Sequence, residues 1–74
     1  MTPIEYTVIA HEAEEGGLWT EVVGLPGAGS QGETLDEAIA NTKESIQAVI
    51  EAMREEGQEI PVPHDVVVKV TVAA

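Results

Sequence analysis

The sequence predicts an α+β fold in the order β-β-β-α-β, with one long helix laid on one face of a sheet. Three observations predict it. Residues 4–11 and 18–23 alternate apolar and polar side chains with a period of two. Residues 35–53 repeat apolar side chains at helical spacing behind a capping sequence. Residues 65–72 alternate again, with valine at every second position.

In the first strand Ile4, Tyr6, Val8 and Ala10 share one face, with Glu5, Thr7, Ile9 and His11 on the other. Residues 12–17 are polar and end in Gly16-Gly17, a loop signal. The second strand sets Leu18, Thr20 and Val22 against Trp19, Glu21 and Val23. A hairpin tip centred near Glu14 places Ile9 opposite Trp19 and Val8 opposite Thr20. In Gly24-Leu25-Pro26-Gly27-Ala28, Pro26 presets φ and Gly27 supplies the positive φ of a type II turn. Residues 28–31 read as a short third strand.

Thr34-Leu35-Asp36-Glu37 is a capping box. The Thr34 hydroxyl accepts from the Glu37 N–H, and the Glu37 carboxylate reaches back to the Thr34 N–H. Leu35, Ala38, Ile39, Thr42, Ile46, Val49, Ile50 and Met53 form the apolar stripe, and Gly57 is the stop, with Pro61 and Pro63 beyond it. In the last strand Val66, Val68, Val70 and Val72 share the face expected under the helix stripe, with Val67, Lys69 and Thr71 opposite.

Charge narrows the function. The 74 residues carry 14 acids against three bases (Lys43, Arg54 and Lys69), a net charge of −11. Nucleic-acid binding needs a basic patch that displaces counterions, and three scattered bases cannot build one. Anionic membrane is disfavoured by the same sign, and the run Val66-Val67-Val68 is far short of a membrane span. With no cysteine and no signal-peptide pattern at the start, a cytoplasmic protein is expected. An acidic surface fits a basic partner.

Sequences with catalytic or cofactor overtones are weak. Gly27-Ala28-Gly29-Ser30-Gln31-Gly32 is a literal G-x-G-x-x-G, but the turn accounts for Gly27, and Glu33, Asp36 and Glu37 at the helix start repel phosphate. His11, Glu12, Glu14 and Glu15, with His64-Asp65, have no diagnostic ligand spacing and read as solvated charge. No serine sits in a triad arrangement. No catalytic residue, cofactor or metal is expected.

Four stretches then occur in series: Gly24-Leu25-Pro26-Gly27; Gln31-Gly32-Glu33-Thr34-Leu35-Asp36-Glu37-Ala38-Ile39-Ala40-Asn41; Glu44-Ser45-Ile46; and Glu56-Gly57-Gln58-Glu59-Ile60-Pro61. In this order and spacing the chain resembles the N-terminal domain of HicB-like antitoxins over nearly its whole length. The resemblance implies a partly degraded ribonuclease-H-like fold: a four-stranded sheet of order 3-2-1-4, the last strand parallel to the first through a right-handed crossover. It implies a protein-binding antitoxin that neutralises a small basic RNA-cleaving toxin, and acidity suits that partner. Such a fold needs converging carboxylates to act as a nuclease, and the sequence offers Glu5 alone in its first strand. Residues 1–74 are expected to be one HicB-like domain, with no room after the last strand for a C-terminal DNA-binding module.

The open sheet face and the acidic loop are the expected interface: Ile9, His11, Glu12, Glu14, Glu15, Trp19, Glu21, Val23 and Val67. Trp19, the single tryptophan, is costly there without a partner. The alternative is a stand-alone acidic homo-oligomer, dimer or tetramer, of unassigned role.

Overall fold

The computed structural model of the protein describes residues 3–74. It is an α+β fold built from a three-stranded antiparallel sheet of order β1-β2-β3 and one helix: β1 Val8–Glu12, β2 Leu18–Val22, β3 Gln31–Gly32 and α1 Leu35–Glu55.

β1 is shorter than its alternation implies. Its partner β2 turns away after Val22, so only the Val23 N–H, donating to the Thr7 carbonyl at 2.9 Å, extends the ladder. The hairpin register is also displaced by two residues from the expected one. Val8 faces Val22 and His11 faces Trp19, because Ala13 N–H bonds the Gly17 carbonyl and Gly16 N–H bonds the Ala13 carbonyl, both at 3.1 Å. These bonds centre the tip on Glu15. A shift of two preserves the faces.

The Leu25–Ala28 turn closes as predicted, with Ala28 N–H bonding the Leu25 carbonyl at 3.3 Å and Gly27 at φ 85. It buries Leu25 and Ala28 completely, and with Val22 they form the core, flanked by Tyr6, Val8, Ile46, Val49 and Met53. The third strand falls at 31–32 rather than 28–31. The Thr20 side chain accepts the Ser30 N–H at 2.8 Å, replacing a ladder bond there.

The helix follows its capping signals. Thr34 Oγ1 accepts from the Glu37 N–H at 3.1 Å, but the Glu37 carboxylate takes the N–H of Glu33 at 3.1 Å, not that of Thr34. At the other end Gln58 N–H bonds the Met53 carbonyl at 2.8 Å and Gly57 N–H bonds the Arg54 carbonyl at 3.1 Å, with Gly57 at φ 72: a Schellman stop. Ala38 and Thr42 are buried along the stripe, whereas Leu35 and Ile39 stay exposed.

The helix seats on the even-numbered face of the sheet through two buried hydroxyls. Thr42 Oγ1 donates to the Ala38 carbonyl at 2.6 Å and lies 2.6 Å from Thr20 Oγ1. A hydroxyl has one proton, so Thr20 donates to Thr42 while accepting from Ser30. Close approach also explains the glycine run. A Cβ on Gly29 would meet the Thr20 carbonyl oxygen at 2.1 Å, and one on Gly32 would meet Ala38 N at 2.4 Å. Gly29 therefore lets the chain lie against β2 and Gly32 lets β3 touch the helix, which gives the G-x-G-x-x-G pattern a packing role.

The largest departure is at the C-terminal end. Residues 65–72 form no strand, so the fourth strand and the 3-2-1-4 order are not present among the described residues. The valines expected beneath the helix are open to solvent: Val66 is 86% exposed and Val70 78%. Tyr6 Oη holds the Pro61 carbonyl at 2.6 Å, but no backbone hydrogen bond joins residues 62–74 to the sheet. Pro61 and Pro63 restrict the start of this stretch, residues 60–63, to non-helical backbone.

Replacing Thr20 with valine should lower stability by about 1–3 kcal/mol, since it strands the Ser30 N–H and deprives Thr42 of its donor. Thr42→Val should cost less, because Thr20 can then turn its proton to the Ser30 carbonyl at 3.2 Å. Urea unfolding of both variants checks the order.

Candidate functional site

The odd-numbered sheet face is the one the helix leaves uncovered. The hairpin register brings His11 directly across from Trp19 and Ile9 across from Glu21. The His11 and Trp19 rings stack with centroids 4.1 Å apart and planes 21° apart. His11 Nε2 then reaches diagonally to Glu21 Oε1 at 2.9 Å. Three residues chosen separately from the sequence thus form one cluster. Trp19 remains 46% exposed and Ile9 41%, a flat aromatic and aliphatic surface with no cover among the described residues.

Acids gather at the tip end of this surface. Glu12, Glu14 and Glu15 are exposed around the hairpin tip. Beside them a concavity of about 710 Å³ opens between the tip, β3 and the helix start. Trp19 forms part of its wall, with Gln31, Asn41, Glu15, Glu33 and Glu37, and no lysine or arginine lines it. Asn41 Nδ2 donates to the Gln31 carbonyl at 2.8 Å, fixing β3 to the helix at the floor. Sequence reasoning did not place Gln31, Glu33, Glu37 and Asn41 in the site, although all four lie in the motif run 31–41. The signal that finds them is the register, which sets Gln31 opposite Trp19.

Val23, half-buried, continues the odd-numbered side of β2 opposite Thr7. One expected residue sits elsewhere. Val67 lies on the extended C-terminal segment, 63% exposed, and is not part of the sheet face because no fourth strand forms there.

The arrangement suits docking. An exposed indole braced by a stacked ring presents apolar area at low ordering cost, and Glu15, Glu33 and Glu37 in the concavity beside it set a negative potential. Among the described residues no three His, Asp or Glu side chains converge to hold a metal ion, and no helix is long and apolar enough to cross a membrane.

Residues 6–72 match the family described as the HicB_like antitoxin of bacterial toxin-antitoxin systems. The chain belongs to the HicB-like antitoxin family. Its similar proteins include the UPF0150 protein Ta0767 of Thermoplasma acidophilum, 41% identical over 58 residues that span 78% of this chain and 84% of that protein. The UPF0150 protein ssr1765 of Synechocystis sp. is 39% identical over 64 residues, covering 86% and 80% of the two chains. A 14.9 kDa protein of Haemophilus phage HP1 is 42% identical over 53 residues, covering 72% of this chain and 40% of that one.

His11→Ala should uncover the indole of Trp19. Acrylamide quenching of its fluorescence should rise, with stability lowered by about 0.5–1.5 kcal/mol, the range for an aromatic pair. Unchanged quenching would mean that the stack does not form in solution.

Proposed function

We propose that this chain is an antitoxin that works by docking, and that its partner is a small, basic, RNA-cleaving toxin held against the odd-numbered sheet face. Family membership supports the antitoxin role in general. The observation that carries the finer reading is the pairing of an exposed, braced Trp19 with a border of acids free of lysine and arginine. Aromatic anchors in the middle of a patch carry much of the energy of protein interfaces. Opposite potentials speed encounter and reject partners of the same sign.

Neutralisation then needs no chemistry from the chain itself. A toxin that cleaves RNA must expose basic groups toward its substrate, and a net charge of −11 competes for those groups directly. The chain's own acidity opposes contact with RNA or DNA, so its action is on the toxin.

The proposal expects a small basic protein encoded beside this chain's gene, and that protein provides the test. Alone it should cleave a labelled RNA, and an equimolar amount of the chain should stop cleavage. Trp19→Ala should weaken inhibition by about 2 kcal/mol or more, the loss typical of a central aromatic anchor. Raising the salt should weaken it further. Cleavage that continues beside the wild-type chain, or inhibition that Trp19→Ala leaves intact, contradicts the proposal.

A further inference from the structure

A second surface is independent of the toxin-facing one. Residues 65–72 carry a strand pattern without a sheet. Val66, Val68, Val70 and Val72 are 86%, 70%, 78% and 75% exposed on one side, and Val67 is 63% exposed on the other. The projecting segment makes the molecule long: its radius of gyration is 14.1 Å, against about 11 Å for a compact chain of this length.

The same chain has a place for such a strand. β1 pairs only with β2, so its outer edge is free among the described residues. Between that edge and the helix runs a groove of about 710 Å³, whose apolar wall includes Tyr6, Val8, Ile46 and Ile50. An unpaired edge beside an apolar groove is the setting in which an extended segment adds as a strand, its backbone on the edge and alternate side chains in the groove.

We infer that the C-terminal segment of one copy fills the edge and groove of a second copy, and that the exchange is reciprocal. Two observations favour a second copy over the segment's own body. Two prolines, Pro61 and Pro63, hold the residues before them away from helical backbone, and a short hinge that would be strained by folding back invites exchange between copies. Tyr6, which lines the groove, holds the Pro61 carbonyl, and beyond it residues 62–74 leave the body without a backbone hydrogen bond to it among the described residues. Each copy therefore supplies one strand and lacks one, which a two-fold dimer satisfies completely.

Charge favours self-pairing over the basic partner here. Of the three lysines and arginines in the sequence, Lys43 and Arg54 line the groove, with Glu51 their single acidic neighbour in its wall, and Lys69 lies on the segment. Within residues 65–72 Asp65 balances Lys69. Groove and segment are thus the least acidic parts of the surface, while the acids that would attract a basic protein border the opposite sheet face.

Sedimentation of the full chain at micromolar concentration tests the exchange. The expected species has twice the 7.8 kDa chain mass, and dimer formation strengthens as salt screens the repulsion between two acidic copies. Val68→Asp with Val70→Asp should give a monomer that keeps its helical circular dichroism, whereas Trp19→Ala should remain dimeric. Hydrogen exchange provides a readout that needs no variant: amides 66–72 should be protected at high concentration and lose protection on dilution. A wild-type monomer overturns the inference, as does a dimer that survives both aspartates. Protection of 66–72 at every dilution overturns it too, because it means that each segment folds into its own groove.

Discussion

The fold depends on the contact between Thr20 and Thr42. Their hydroxyls, 2.6 Å apart and almost wholly buried, join the central strand to the helix and hold the Ser30 backbone beside them. The four fully or nearly buried apolar residues among those described (Val22, Leu25, Ala28 and Ala38) are a small core for a long helix. A buried polar pair fixes position in a way that apolar contact alone does not, because each donor must meet its acceptor. Gly29 and Gly32 make the contact sterically accessible, since a side chain at either would strike backbone. Once the helix is fixed to the even-numbered face, the odd-numbered face with Trp19 is left open, and so is the groove beside β1.

Those two open surfaces differ in chemistry. One is aromatic with an acidic border. The other is apolar and holds two of the chain's three strong bases. In a protein with net charge −11 this separation would draw the proposed basic toxin and the proposed second copy to different places. The exposed valines give the second surface its driving force. Each large aliphatic side chain contributes about 1.5–3 kcal/mol when fully covered, and a single copy leaves this contribution unrealised.

Local signals in the sequence were read well where the chain itself satisfies them. Alternation at 18–22 assigned Thr20 and Val22 to the covered face, and Leu25-Pro26-Gly27-Ala28 specified its turn. Thr34 and Gly57 specified the helix ends. The hairpin register moved by two because bonds among Ala13, Gly16 and Gly17 decide it, and no side-chain pattern encodes them. Glu37 caps Glu33 rather than Thr34, a choice between two adjacent N–H groups that the motif does not make. The valine repeat at 66–72 states that a strand is wanted and which side is apolar. It does not state whose sheet receives it, since periodicity fixes a face and not a neighbour. In the site, Trp19, His11 and Glu21 were legible one at a time. Their joining into a stack and a hydrogen bond awaited the register, as did the place of Gln31 and Asn41 beside them.

The central claim is that the threonine contact commits the helix to one face and leaves the other for a partner. Backbone and indole NMR shifts recorded while the basic partner is titrated in test it directly. The account predicts large changes at Trp19, His11 and Glu21 and along the acidic tip, with Thr20 and Thr42 unmoved. Changes concentrated on the helix and the threonine contact, with the Trp19 indole silent, would contradict it.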